Sequence, residues 1–196
     1  IMWRPGGGNY NDLDSREAVE KQIQTGRQCA GLPEYVDEIC YELESCPYSP
    51  LKKSPVSTAN EGILSICSGC SGVAWNVMPK RLSDAENIFN AIRSKTPFME
   101  LLSEKFKNGK NLGVYDGWHP QAQAAVTDFF SDYGGRYAEG MDEIDLLGIP
   151  RSYNLHKASA FVLQGRQPLV FSDEEIRYIL SRGVYMDADA ADILCK

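Results

Sequence analysis

Apolar and polar positions alternate through Ile39-Cys40-Tyr41-Glu42-Leu43-Glu44. Side chains two apart on a strand share a face, so Ile39, Tyr41 and Leu43 oppose Glu42 and Glu44. This predicts a strand over 36–44 with one face in a core and two carboxylates on the other. Helical patterns flank it. Asp14 and Glu17 have the spacing of a capping box, Val19, Ile23 and Cys29-Ala30 form an apolar stripe, and Gly31 with Pro33 ends it. After the strand, Pro47, Pro50 and Pro55 keep the chain irregular. Thr58 and Glu61 have capping-box spacing ahead of Ile63, Leu64 and Ile66, and Gly69 and Gly72 close that helix.

Val73–Met78 reads as a buried strand. Ser83 and Glu86 cap a third helix carrying Ile88, Phe89 and Ile92. Pro97 is expected to break it and start a continuation with Phe98, Leu101, Leu102 and Phe106. Strands separated by helices imply parallel βαβ units. Lys107-Asn108-Gly109-Lys110 is a polar break, which divides the chain into domains at 1–107 and 108–196. In the second, strands are expected at 112–115, 160–163 and 183–186. Helices are expected around Ala122–Phe130, over 141–147, and from the Ser172/Glu175 capping box to Leu180. The fold class is α/β throughout.

Composition narrows the function classes. The 196 residues are 43% hydrophobic and 24% charged, with a net charge of −7. An acidic chain is poorly suited to neutralising phosphates, which argues against a nucleic-acid partner. No apolar run reaches transmembrane length, so no membrane partner is expected. The ends, Ile1-Met2-Trp3 and Leu194-Cys195-Lys196, read as those of a fragment. The missing leader therefore says nothing about the compartment. The glycines of Pro5-Gly6-Gly7-Gly8-Asn9 fit neither common phosphate-binding spacing and read as a rim loop.

Cys29, Cys40, Cys46, Cys67, Cys70 and Cys195 include one Cys67-x-x-Cys70 without a second pair or nearby histidine. This is weak support for zinc, so no metal or cofactor is expected and the thiols read as small, buried and reduced. His119 and His156 fall in loop-like stretches and read as surface residues.

Two readings of the carboxylate face stand at this point. One is an edge strand with a wet face. The other is the inner face of a parallel barrel, with Glu44 nearest the C-terminal rim, where such barrels keep their active sites.

Glu42-x-Glu44-x-x-Pro47-Tyr48, Leu51-Lys52-Lys53-Ser54 and the Ala74-Trp75-Asn76 strand together resemble the end of a clan A glycoside hydrolase barrel, closest to relatives of the family 42 β-galactosidases. In that family the nucleophilic Glu ends the seventh strand, and Pro follows after two residues. Glu44-Ser45-Cys46-Pro47 has this pattern and Glu42 does not. The resemblance makes residues 73–78 the eighth strand and 83–107 the last barrel helices. Leu169–Ile176 through Gly183–Asp187 resembles the amidotransferase-like (flavodoxin-like) domain that these enzymes use to assemble as trimers. It implies a carbohydrate substrate and a homo-oligomer.

The implied chemistry is retaining hydrolysis by two carboxyls about 5–5.5 Å apart. Glu44 is the nucleophile candidate. Glu42, deeper on the same face, is either a ligand for a sugar hydroxyl or a buried carboxylate paired with a cation. Trp3, Tyr48 and Trp75 are candidates for stacking on sugar, each with core packing as the alternative. Arg4 either binds a hydroxyl or pairs with an acid such as Asp12. The family's acid/base Glu follows Asn, and Asn60-Glu61 is the one such pair. Its place at a helix start assigns it to capping, so the acid/base residue is expected upstream and the chain alone is expected to be inactive. The segment 184–190 has no Cys or Ser for amidotransferase chemistry, and Cys195 lies too far along. The rival reading is a non-catalytic α/β module that binds carbohydrate or a partner, or serves assembly.

Overall fold

The computed structural model describes residues 1–5, 12, 15–45, 53–77, 81–108, 113–115 and 149–196. The chain divides into two compact units, Ile1–Gly109 and Lys110–Lys196. Both are α/β with parallel sheets.

The first unit is a three-stranded sheet in the order β1 (Met2–Trp3), β2 (Glu38–Ser45), β3 (Gly72–Val77). Parallel neighbours need long crossovers. Here these contain α1 (Ser15–Ala30) and α2 (Pro55–Cys67), and α3 (Leu82–Asn108) follows β3. Tyr41 and Leu43 of β2 are fully buried, with Cys29, Ile39, Val73 and Trp75 packed around them. A second cluster joins Ala59 of α2 to Ile88 and Ile92 of α3, with Trp75 and Val77 against it. The helices thus cover one face of the sheet. Burying side chains of this size contributes about 1.5–3 kcal/mol each before entropy is counted.

Gly62 lets α2 come close to β3. A Cβ there would stand 2.4 Å from Cη2 of Trp75, so any larger residue would push the indole away.

Three helix features correct the sequence reading. α3 starts at Leu82, so Ser83 lies inside it and does not cap it. The expected Thr58/Glu61 capping box does not exist. Ser54 is the N-cap, its hydroxyl accepts from the Ser57 N–H at 3.1 Å, and Pro55 takes the first turn. Proline suits that place because its missing N–H has no intrahelical partner there. Thr58 instead donates its hydroxyl to the Ser54 carbonyl at 2.9 Å.

The expected break at Pro97 is also absent. α3 runs through it, and the proline costs one backbone donor rather than the helix. In the turns around it, the hydroxyls of Ser94 and Thr96 donate to the carbonyls of Ala91 and Ile92. Asp14, Pro47, Pro50 and Met78 lie outside the described residues.

The second unit has a four-stranded parallel sheet in the order β5 (Arg151–Ser152), β4 (Val114–Tyr115), β6 (Ala160–Leu163), β7 (Gly183–Met186). α4 (Asp173–Leu180) and α5 (Ala188–Leu194) flank β7. Tyr115, Phe161, Leu163, Phe171, Ile179 and Ala190 form its core. The Ser172/Glu175 capping box is present in full. β5 is too short to have shown any alternation, and the sequence reading missed it. The helices expected around 122–130 and over 141–147 lie outside the described residues.

Candidate functional site

Parallel register decides which side chains can meet. Glu42 stands opposite Ala74 and Glu44 opposite Asn76, while Leu43 stands opposite Trp75. Neighbouring residues in register share a face. Glu42, Glu44, Ala74 and Asn76 therefore lie on the face away from the helices, towards the C-terminal ends of β2 and β3. Asn76 donates its amide N–H to Oε1 of Glu44 at 3.3 Å.

Arg4, just beyond β1, forms an ion pair with Glu42. Glu42 is paired with a cation but is not buried, and Arg4 pairs with Glu42 rather than Asp12. The pair is partly open to water, where such contacts stabilise by about 0–1 kcal/mol.

Beneath this face lies a buried network that the sequence reading did not find. The Lys53 side chain is 1% exposed, and its ammonium pairs with the Glu61 carboxylate and donates to the main-chain carbonyl of Glu44 at 3.2 Å. The Tyr41 hydroxyl donates to the other oxygen of Glu61 at 2.6 Å. Burial lowers the pKa of Lys53 to about 8, against the pull of the Asp12 and Glu44 carboxylates. Burial raises the pKa of Tyr41, and nearby negative charge adds to that shift. The Asp12 carboxylate accepts from the Ser54 N–H at 2.8 Å, which ties the segment before α1 to the start of α2.

Lys21 of α1 stands 5.9 Å from the centre of the Tyr41 ring. Burial lowers its pKa, and Glu44 and then Glu42 pull it back up. The end of β2 is thus surrounded by cations from three segments.

Neither Trp75 nor Trp3 is brought to the carboxylates. Trp75 lies on the opposite face of β3, packed against α2 and α3. With Thr96 and Met99 it lines a groove of about 400 Å³ on the helix side. Trp3 is in register with Ile39 and so belongs to the apolar face, although it is 45% exposed. Tyr48 lies outside the described residues. For Asn76 the sequence did hold a signal. Val73, Trp75 and Val77 alternate with Ala74 and Asn76, which sets Asn76 apart from the tryptophan. For Lys53 no periodicity pointed inward.

Glu61 is buried within α2 and is committed to Lys53 and Tyr41. The capping role expected of it is wrong, because the helix starts six residues earlier at Pro55. In the second unit, Asp187 occupies the turn between β7 and α5. It caps α5 through the Ala190 N–H at 2.8 Å, and it also accepts from the Gly165 N–H. Cys195 is the exposed C-cap of α5. His156 is exposed, its ring set edge-on to Tyr178, and His119 lies outside the described residues. No cluster of three or more metal-ligating side chains occurs among the described residues. Among them, too, no helix is long and apolar enough to cross a membrane.

Compared with protein-family models, curated proteins and solved structures, the chain matches none.

Proposed function

We propose that the carboxylate face of β2 is half of the active site of a retaining β-glycosidase, similar to the family 42 β-galactosidases, with Glu44 as nucleophile. The observation that carries this reading is the placement of Glu44. It ends a parallel strand on the face turned away from the helices, and a neighbouring side chain, Asn76, holds one of its oxygens. In this reading β2 and β3 are the seventh and eighth strands of a (β/α)8 barrel. Glu44 attacks the anomeric carbon to form a glycosyl ester, which water then hydrolyses. Lys53 secures the main chain that carries it, and the Arg4–Glu42 pair borders the sugar.

The acid/base residue comes from outside this chain, since Glu61 is buried in its network with Lys53 and Tyr41. Among the described residues the second unit's order, 2-1-3-4 in chain sequence, is how one common doubly wound sheet begins. This supports its role as an amidotransferase-like assembly domain in a homo-oligomer. The commitment of Glu61 also favours a second reading, a non-catalytic module that binds carbohydrate or a partner.

The test uses a protein in which this chain follows the remaining barrel strands. Glu44→Gln is expected to lower turnover of an aryl β-galactoside by more than about 10³-fold, while galactose binding and the circular dichroism spectrum stay unchanged. The chain alone is expected to show no turnover. Retained activity in the variant would remove Glu44 as nucleophile. Galactose binding without turnover in the longer parent would favour the second reading.

A further inference from the structure

The sulfurs of Cys29 and Cys70 are 3.8 Å apart, although 41 residues separate them in the chain. Cys29 lies in the last turn of α1, and Cys70 lies between α2 and β3. The contact is built into the backbone. Gly69 has φ +106°, and a Cβ there would stand 3.3 Å from Cβ of Cys29, so a larger residue would push α1 away. The turn is fixed on both sides by Cys70 N–H to Ser65 carbonyl at 3.1 Å and Ser71 N–H to Ile39 carbonyl at 2.8 Å. The Ser68 hydroxyl donates to the Gln22 carbonyl at 3.2 Å, a second tie between turn and α1. The thiol that meets Cys70 is therefore Cys29, not its C-x-x-C neighbour Cys67.

We propose that Cys29 and Cys70 are an attacking and a resolving thiol, a modification site that exchanges with low-molecular-weight disulfides such as oxidised glutathione. Cys29 is half-buried and Cys70 is 4% exposed, so the incoming disulfide reaches Cys29 first. The two sulfurs are in hydrogen-bond contact, in which either can be the donor, and the contact with Cys70 lowers the pKa of Cys29. The same hydrogen bond, with burial, raises that of Cys70. The thiolate is the nucleophile in such exchange, so both effects select Cys29 as attacker.

The Cys29 thiolate attacks one sulfur of oxidised glutathione, forming a mixed disulfide and expelling glutathione thiolate, which takes a proton. Cys70 loses its proton to solvent, and its sulfur displaces the second glutathione from Cys29. Two protein thiols are oxidised to one disulfide, and one glutathione disulfide is reduced to two thiols. The sulfurs then close to about 2.05 Å. The bond staples α1 to the turn leading into β3, at the end of the sheet opposite Glu44, and it is independent of any glycosidase activity.

The experiment incubates the reduced chain with oxidised glutathione, alkylates the remaining thiols and maps the peptides. A Cys29–Cys70 linked peptide is expected, with Cys40 and Cys67 alkylated. Cys70→Ser is expected to stop at a stable glutathione adduct on Cys29. The linked form is expected to melt higher than the reduced form by roughly 10 °C or more, because the bond restricts the unfolded chain. A Cys67–Cys70 linkage, a lasting adduct on wild-type Cys29, or an unchanged melting temperature of the linked form would overturn the proposal.

Discussion

In the first unit, β2 reaches its C-terminal end with Glu44, whose carboxylate is held by the Asn76 side chain and whose main-chain carbonyl is held by Lys53. In the second, β7 leads into Asp187, whose carboxylate accepts from the backbone N–H groups of Gly165 and Ala190. Both acids stand at the end of a parallel strand. They are satisfied in different ways. Asp187 sits at a helix N-terminus, where backbone donors and the helix dipole favour a fixed negative charge. Among the described residues Glu44 caps no helix, and its carboxylate accepts from a side-chain amide that can adjust. A carboxylate bound by backbone donors is fixed in place, whereas one held by a side chain keeps a partner that can move. Strand position alone does not separate the two.

The largest effect is expected beneath Glu44. Lys53→Met leaves Glu61 buried without its cation, and breaking such a pair costs about 3–5 kcal/mol. Denaturant unfolding of the first unit measures it. Lys53→Met combined with Glu61→Leu removes both charges and is expected to recover most of the loss. The network also has a pH signature. Folded Lys53 releases its proton near pH 8, and the unfolded side chain does so at its ordinary 10.5. Between these values the unfolded state binds more protons, so stability rises with pH. Above the ordinary Tyr41 value of 10.0 the raised pKa of that phenol acts in the opposite sense, because only the folded state keeps its proton. Urea melts should therefore show a rise beginning near pH 8 that the double variant lacks. A flat wild-type profile would mean that burial does not strain the Lys53 charge.

An intermediate effect is expected at the second unit's acid. Asp187→Ala removes the α5 cap and the tie to Gly165, at a cost of about 1–2 kcal/mol. Asp187→Asn should keep part of the cap. Amide hydrogen exchange at Gly165 and Ala190 reads the loss locally, and unchanged protection would remove the structural half of the comparison.

Much of this contrast could be read from local pattern. The alternation through Ile39–Glu44 separated the two faces of β2, and Ser172 with Glu175 marked the start of α4 correctly because both halves of a capping box lie within one turn. The errors arose where local signals competed or where distant segments meet. Thr58 and Glu61 imitate a capping box, but Ser54-Pro55 offers a better start, with a side-chain cap followed by a residue that needs no donor. Trp75 could have stacked on a sugar or packed in the core, and it is register opposite Leu43 that places it on the helix side. Arg4 was expected on a hydroxyl or on an acid such as Asp12, and it is the pairing of β1 with β2 that brings it to Glu42. The Lys53–Glu61–Tyr41 network joins a loop, a helix and a strand, and no single periodicity contains it.

The smallest effect is expected at Glu44 itself, and it bears most directly on the comparison. Glu44→Gln keeps the shape of the side chain and an oxygen to accept from Asn76. The Lys53 bond is unaffected, because it uses the main-chain carbonyl. Glu42→Gln weakens a partly exposed ion pair with Arg4 and a more distant attraction to Lys21. Each is expected to change unfolding free energy by no more than about 0.5 kcal/mol, the usual range for substitutions that neither open a cavity nor strand a buried charge. The measurement is the shift in denaturant midpoint at constant slope. A loss near that of Asp187→Ala would make Glu44 a structural carboxylate like its counterpart, and its candidacy as a nucleophile would lose its physical basis. A neutral result leaves Glu44 as an acid at a strand end that the fold does not need.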